Sequence, residues 1–170
     1  VWRLFFLLIV STPAFAQQSP AALRQALQAA NAASKAVSIR YYSALLGGYF
    51  LQSQNYDSAS YYYRKALFHN EAVGNKPGRS QILNNLGVLF FHKGTLDSSI
   101  HYYNAAYEVA RDVSDTVMMS ILEINLGMLY KEKGLYEKSL EYSLKASRKL
   151  EKAEPTTNLA SCYNSIGNVY

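Results

Sequence analysis

Gly47, Gly87, Gly127 and Gly167 stand 40 residues apart without one insertion, and their neighbours repeat in the same register. Leu46, Leu86, Leu126 and Ile166 precede the glycines, and Phe50, Phe90, Tyr130 and Tyr170 follow three residues later. Tyr56, Leu96 and Tyr136 come next, then the small residues Ala59, Ser99 and Ser139, then Ala66, Ala106 and Ala146. Chance does not keep so many columns in step. The chain is a repeat array, in which no unit buries its own apolar face and each must stack on its neighbours. Work done by such a chain lies on a surface, and the repeat does not name what that surface meets.

Within a unit the apolar residues fall at helical spacing twice, from Leu83 to Phe91 and from Leu96 to Ala106, with a break at Lys93-Gly94-Thr95. Each unit is therefore a helical hairpin. Gly94 and Gly134 suit the left-handed conformation that ends a helix, and where Gln54 replaces that glycine the reading gives the left-handed position to Asn55. Asp57, Asp97 and Glu137 then lie in the first turn of the next helix, where the macrodipole favours an anion. Gly87 is mid-helix, a position that costs about 1 kcal/mol against alanine, so a bulky side chain from the second helix is expected to need that space. Ala66, Ala106 and Ala146 allow the same close approach from the other side.

The order Leu86, Gly87, Phe90, Gly94, Leu96, Ser99, Tyr103 and Ala106, repeated as Leu126, Gly127, Tyr130, Gly134, Tyr136, Ser139 and Ala146, resembles the tetratricopeptide repeat (TPR) from about Arg40 to Tyr170. The resemblance implies an all-α fold, a right-handed superhelical array of antiparallel helix pairs. It departs from the family in two ways: the period is 40 rather than about 34, which puts extra residues in the second helix or the inter-unit turn, and Ser143 replaces an aromatic. On this frame the units are 40–79, 80–119 and 120–159, with the first helix of a fourth at 160–170. Leu23 and Ala26-Leu27 match Tyr63 and Ala66-Leu67, so residues 17–39 read as a half-repeat capping helix that starts at Ser19-Pro20. Ile166 and Tyr170 lack a following helix, and the array is expected to associate or fray there.

Residues 1–16 differ in kind. Arg3 precedes the apolar run Leu4 to Val10, and Ala14-Phe15-Ala16 gives a small-residue cleavage pattern before Gln17, the form of a secretory signal peptide. Thr12 and Pro13 interrupt it well short of the roughly 20 apolar residues of a membrane span. Export to a periplasmic or other extracytoplasmic site is the expectation, with no membrane insertion of the mature segment and any tether lying past Tyr170. Val1 fits either an alternative start codon or a clipped fragment. Lone Cys162 forms no internal disulfide and reads as a small buried hydrophobe.

The formal charge is +5. Lysines and arginines gather at Lys131, Lys133, Lys138, Lys145, Arg148, Lys149 and Lys152, but Glu132, Glu137, Glu141 and Glu151 interleave them, a solvated helix face rather than a nucleic-acid patch. His69, His92 and His101 are scattered over different helices, and no metalloprotease, nucleophile-elbow or phosphate-loop motif occurs. No catalytic role, metal site or cofactor is expected. Asp112 and Asp115 flank a turn, where capping explains them.

Fifteen tyrosines are unusual. Tyr61-Tyr62-Tyr63, Tyr102-Tyr103 and Tyr142 share a register on second helices and suit core and inter-unit packing, with the outermost ring of each cluster open to stack on carbohydrate or peptide. By the family resemblance the binding surface is the concave one, lined by first helices. It is expected to present Tyr41, Ala44 and Leu45, then Gln81, Asn84, Asn85, Val88 and His92, then Ile121, Asn125, Met128 and Lys131. Asn85 and Asn125 have the donors and acceptors to hold the backbone of a protein or extended peptide. The lysine and arginine clamp of the family's chaperone-binding members is missing, since its columns hold Ala44, Gln81, Asn84 and Ile121. The expected function is a non-catalytic exported interaction scaffold. The leader and tyrosine-rich repeat also resemble, more weakly, the ligand-sensing N-terminal region of bacterial sensor histidine kinases and related regulators, whose output module would follow Tyr170.

Overall fold

The computed structural model describes residues 19–151, so the leader at 1–16, Cys162 and the fourth-unit columns Ile166, Gly167 and Tyr170 lie outside the described residues. Seven helices follow one another: α1 Pro20–Ala32, α2 Ala36–Gln52, α3 Tyr56–Val73, α4 Lys76–His92, α5 Leu96–Asp112, α6 Thr116–Glu132 and α7 Tyr136–Leu150. The pairs α2/α3, α4/α5 and α6/α7 make the most extensive contacts, and α1 packs on α2. First helices also touch the first helices of neighbouring units, α2 on α4 and α4 on α6. The second helices stand further apart, so the array curves with its first helices inside.

The turns are what keep the period constant. Ser34, Gln54, Gly74, Gly94, Ser114 and Gly134 all have positive φ, one left-handed residue every 20 positions. Each ends one helix and lets the chain reverse. The left-handed residue of the first hairpin is thus Gln54, at φ 60°, and not Asn55, which corrects the expectation. Asn55 is instead the cap of α3: its φ is −86° and its side chain accepts a hydrogen bond from the Ser58 amide, a contact that a left-handed residue would not be placed to make. Ser19, Asn75 and Asp115 cap α1, α4 and α6 in the same way. Asn75 and Asp115 start the second and third helix pairs at Lys76 and Thr116, and the first starts at Ala36 without a side-chain cap, each four residues ahead of the unit boundaries read from the sequence.

Helices α2, α4, α5 and α6 are each 17 residues long, and the stretches between units are only two or three residues. A 34-residue unit with similar turns would leave about 14 per helix, so the extra length is shared by both helices, neither confined to the second nor placed in the turn. Each helix gains nearly a turn of apolar stripe.

Inside a unit the two helices meet through a ring laid on a glycine. A methyl carbon placed on Gly87 would fall 2.5 Å from Tyr103 Cδ1, and one on Gly47 would fall 2.6 Å from Tyr63 Cδ1. Both rings are fully buried, and burial pushes both phenols far above their ordinary pKa. In the third unit the ring is gone: the nearest atom to such a carbon on Gly127 is Ser143 Oγ at 3.1 Å. Small residues fasten the same seam. Ser99 Oγ donates to the Gly87 carbonyl at 2.8 Å, and Ser80 Oγ donates to the Ala106 carbonyl at 2.9 Å. Outside the glycine contact lie stacked pairs, Phe50 on Tyr62, Phe90 on Tyr102 and Tyr130 on Tyr142, with ring centroids 5.1 to 5.4 Å apart. The packing role expected for the tyrosines is met by Tyr63 and Tyr103, with Tyr62, Tyr102 and Tyr142 half-buried beside them.

Between units α4 and α6 are joined by amides. Asn125 Nδ2 donates to Asn84 Oδ1 at 2.9 Å, and Asn84 Nδ2 reaches Asn85 Oδ1 at 3.5 Å. Asn84 and Asn125 are fully buried.

Two stability outcomes follow from these contacts. Gly87→Ala should cost at least about 2 kcal/mol more than Gly127→Ala, because overpacking against Tyr103 outweighs alanine's better helix propensity whereas Ser143 leaves more room; paired denaturant titrations measure this. Asn125→Ala should cost about 1 to 3 kcal/mol by removing the buried amide bond to Asn84, and an Asn84/Asn125 double-mutant cycle should show coupling rather than additivity.

Candidate functional site

The first-helix residues expected to line a groove do not form one continuous open surface. Tyr41 is 48% exposed, His92 is exposed, and Gln81, Met128 and Lys131 are half-buried. Asn85 is only 7% exposed, and Asn84 and Asn125 are at 0%, with Val88 at 0% and Ile121 at 5% beside them. The first helices pack on one another there, α2 on α4 and α4 on α6. The expectation that Asn85 and Asn125 reach out to a peptide backbone is therefore replaced: Asn125 spends its donor on Asn84, and a partner would have to break that buried bond to reach either. The expected inner residues that keep some exposure include Tyr41 and Gln81, in one column, His92 at the outer end of α4, and Met128 and Lys131 on α6. His92 stacks on Tyr56 with centroids 6.5 Å apart, and partial burial lowers the imidazole pKa.

The outer face is built differently. Between α5 and α7, with α6 as its floor, lies a cavity of about 500 Å³. Glu123 on α6 lines it with a side chain only 2% exposed. Its Oε1 accepts from the Tyr107 hydroxyl at 3.1 Å and pairs with Lys149 Nζ, which also reaches Tyr107 Oη at 3.2 Å. Glu123 Oε2 is buried with no partner. Burial opposes the charge on Lys149, but its hydrogen bonds to Glu123 and Tyr107 more than offset this, and its pKa is raised. Arg148, Lys145, Glu108 and Tyr142 line the same cavity.

Sequence reasoning missed Glu123 and Tyr107 and placed Lys145, Arg148 and Lys149 on a plain solvated face. The signal was available in the columns. Glu123 stands where the earlier units have Ser43 and Leu83, and Lys149 stands where they have His69 and Val109. A carboxylate at a core position, paired with a half-buried lysine, is an exception to the repeat, and it is visible only when the units are laid over one another.

The remaining surface carries repeated ion pairs such as Lys93 with Asp57 at 3.2 Å and Lys133 with Asp97 at 2.6 Å. Large apolar side chains are also exposed, among them Val37, Val117, Leu135 and Tyr136, and the most exposed are Tyr61 and Phe68 on α3 at 60% and 70%. Among the described residues no group of three or more His, Cys, Asp or Glu could hold a metal ion, and no helix is long and apolar enough to cross a membrane.

Comparison with known proteins agrees with this architecture. Models described as tetratricopeptide repeat match residues 38–112 and 124–148. A crystal structure of BtubC (BKLC) from P. vanneervenii superposes with a TM-score of 0.77 over 94% of this chain at 19% identity, a likeness of fold. The chain spans 66% of the length of that protein. No curated protein matches the sequence. None of these matches is to a sensor kinase. The ring-on-glycine seam, the half-period turns and the two family matches together make this chain a member of the tetratricopeptide repeat family, an all-α solenoid of the class that serves as protein-interaction scaffolds.

Proposed function

We propose that this chain is a non-catalytic scaffold that holds a protein or an extended peptide along the accessible residues of its first helices, Tyr41, Gln81, His92, Met128 and Lys131. The observation that carries this reading is the division of labour along those helices. Buried Asn84, Asn85 and Asn125 fix the spacing of neighbouring first helices, while Tyr41 and Gln81, 40 residues apart, stay accessible in one column. An aromatic and a carboxamide at matched positions on a rigid frame suit an extended chain, whose side chains take the apolar contact and whose backbone takes the polar one. Rigid presentation also limits the ordering cost of binding. Repeat proteins of this family are generally non-catalytic, and the scattered histidines support the same reading.

We further propose that the scaffold is exported. Support comes from Arg3, the Leu4 to Val10 run and Ala14-Phe15-Ala16. A ligand-sensing role ahead of an output module is a narrower form of the same proposal, since sensing begins with binding.

Peptides selected from a displayed library against the chain should lose about tenfold or more in affinity on a Tyr41→Ala/Gln81→Ala background and be indifferent to Tyr61→Ala/Phe68→Ala. The opposite pattern would move the binding face to the aromatic pair on α3. For export, N-terminal sequencing of the protein recovered from its native host should begin at Gln17, and a cytoplasmic product that keeps residues 1–16 would overturn that part.

A further inference from the structure

The Glu123–Lys149 pair is not something the fold requires. The second unit fills the same two columns with Leu83 and Val109, and the first fills them with Ser43 and His69. Three copies of one architecture thus show that these positions accept apolar or neutral side chains. An ion pair between a buried carboxylate and a half-buried lysine stabilises little over such residues, because desolvating the carboxylate offsets much of the attraction. The third unit nevertheless keeps a carboxylate that is 98% buried and has one oxygen without a partner.

The surroundings differ in the same way. Around this pair the walls are opposite in charge: Glu108 and Glu123 come from α5 and α6, whereas Lys145, Arg148 and Lys149 come from α7. Tyr107 and Tyr142 add aromatic surface between them. The corresponding cleft of the first unit, between α1 and α3, is smaller at about 330 Å³. It is lined by Arg24, Gln28, Asn31 and Lys65 among others and has no acidic residue. Only one of these two clefts is polarised, and its volume lies in the range of small-ligand pockets, about 300 to 1,000 Å³.

We propose that the cleft between α5 and α7 binds a small zwitterion of amino-acid or dipeptide size, its ammonium end received by Glu123 and Glu108 and its carboxylate end by Arg148 and Lys145. Glu123 Oε1 already accepts from Tyr107 and Lys149, so the ammonium supplies a donor to Oε2, which a turn of the Glu123 side chain presents to the cleft. The guanidinium of Arg148 matches a carboxylate in geometry as well as charge. Tyr107 and Tyr142 flank the ligand's apolar part, so an aromatic or aliphatic side chain improves the fit. Glu108 is paired with Arg111 and Lys145 with Glu141 at the surface, so a zwitterion exchanges an ion pair on each wall, whereas a ligand of one sign engages only one wall. The site is separate from the first-helix contacts of the scaffold reading, and either can fail without the other.

The test uses the full chain and the dipeptide Ala-Phe, with its N-acetyl and C-amide derivatives as controls. Calorimetry and the ring signals of Tyr107 and Tyr142 should report saturable binding of Ala-Phe, weakened about tenfold or more by blocking either terminus. Replacing the pair with the second unit's own residues, Glu123→Leu/Lys149→Val, should abolish binding while Tm holds or rises. Arg148→Ala, on the rim, should weaken Ala-Phe but leave the C-amide unchanged. The proposal falls if Ala-Phe does not saturate up to about 10 mM, or if the blocked dipeptides bind equally well. It also falls if the Leu/Val variant binds as before, or if its Tm drops by several degrees, which would make the ion pair a structural fastening.

Discussion

In the first two units, helix pairing depends on a tyrosine ring lying flat where a glycine has no side chain. Tyr63 over Gly47 and Tyr103 over Gly87 set how closely the second helix approaches the first. Close approach then brings Ser99 within hydrogen-bonding distance of the Gly87 carbonyl and seals Ala106 at the seam. The left-handed turns every 20 residues then repeat the hairpin along the chain. The third unit shows what the ring contributes by lacking it. With Ser143 opposite Gly127, the seam between α6 and α7 has smaller groups, and a Ser143 hydroxyl without a partner lies in it.

The periodic contacts are not equal in energy. Lys93 with Asp57 and Lys133 with Asp97 repeat as faithfully as the glycines, yet the aspartates are 96% and 90% exposed, and such pairs contribute about 0 to 1 kcal/mol. Repetition alone therefore does not identify what holds the array together. Burial does. The amide link between Asn125 and Asn84 occurs once among the described units, but both residues are fully buried, so losing either end removes a buried amide bond.

That contrast explains how far the sequence could be read. Helix pairing, the role of Gly87, the anionic first turns and the start at Ser19-Pro20 all follow from residue chemistry acting within about four positions, and the structure reproduces them. Asn55 was misjudged because asparagine is good at two adjacent jobs, left-handed turn and helix cap, and only the register of the hairpin decides between them. The groove residues were harder still. Whether Asn125 meets solvent or Asn84 depends on the distance between α4 and α6, which no local pattern encodes. Side chains with both donor and acceptor suit either fate equally well.

A repeat protein supplies internal controls that a single-copy fold does not. Each column is the same backbone position tried with different side chains, so a residue that breaks its column's chemistry without being needed for the fold calls for another cause. Gln54 for glycine is such a break and is explained by the turn tolerating a left-handed glutamine, as it tolerates Ser34 and Ser114. Ser143 for an aromatic is one that leaves a looser seam. The set Ser43/His69, Leu83/Val109 and Glu123/Lys149 is different, because its last member puts ionised groups where an apolar pair already serves. Desolvation works against that choice in the isolated chain, and a bound counter-charge is the physical circumstance that would reverse the balance.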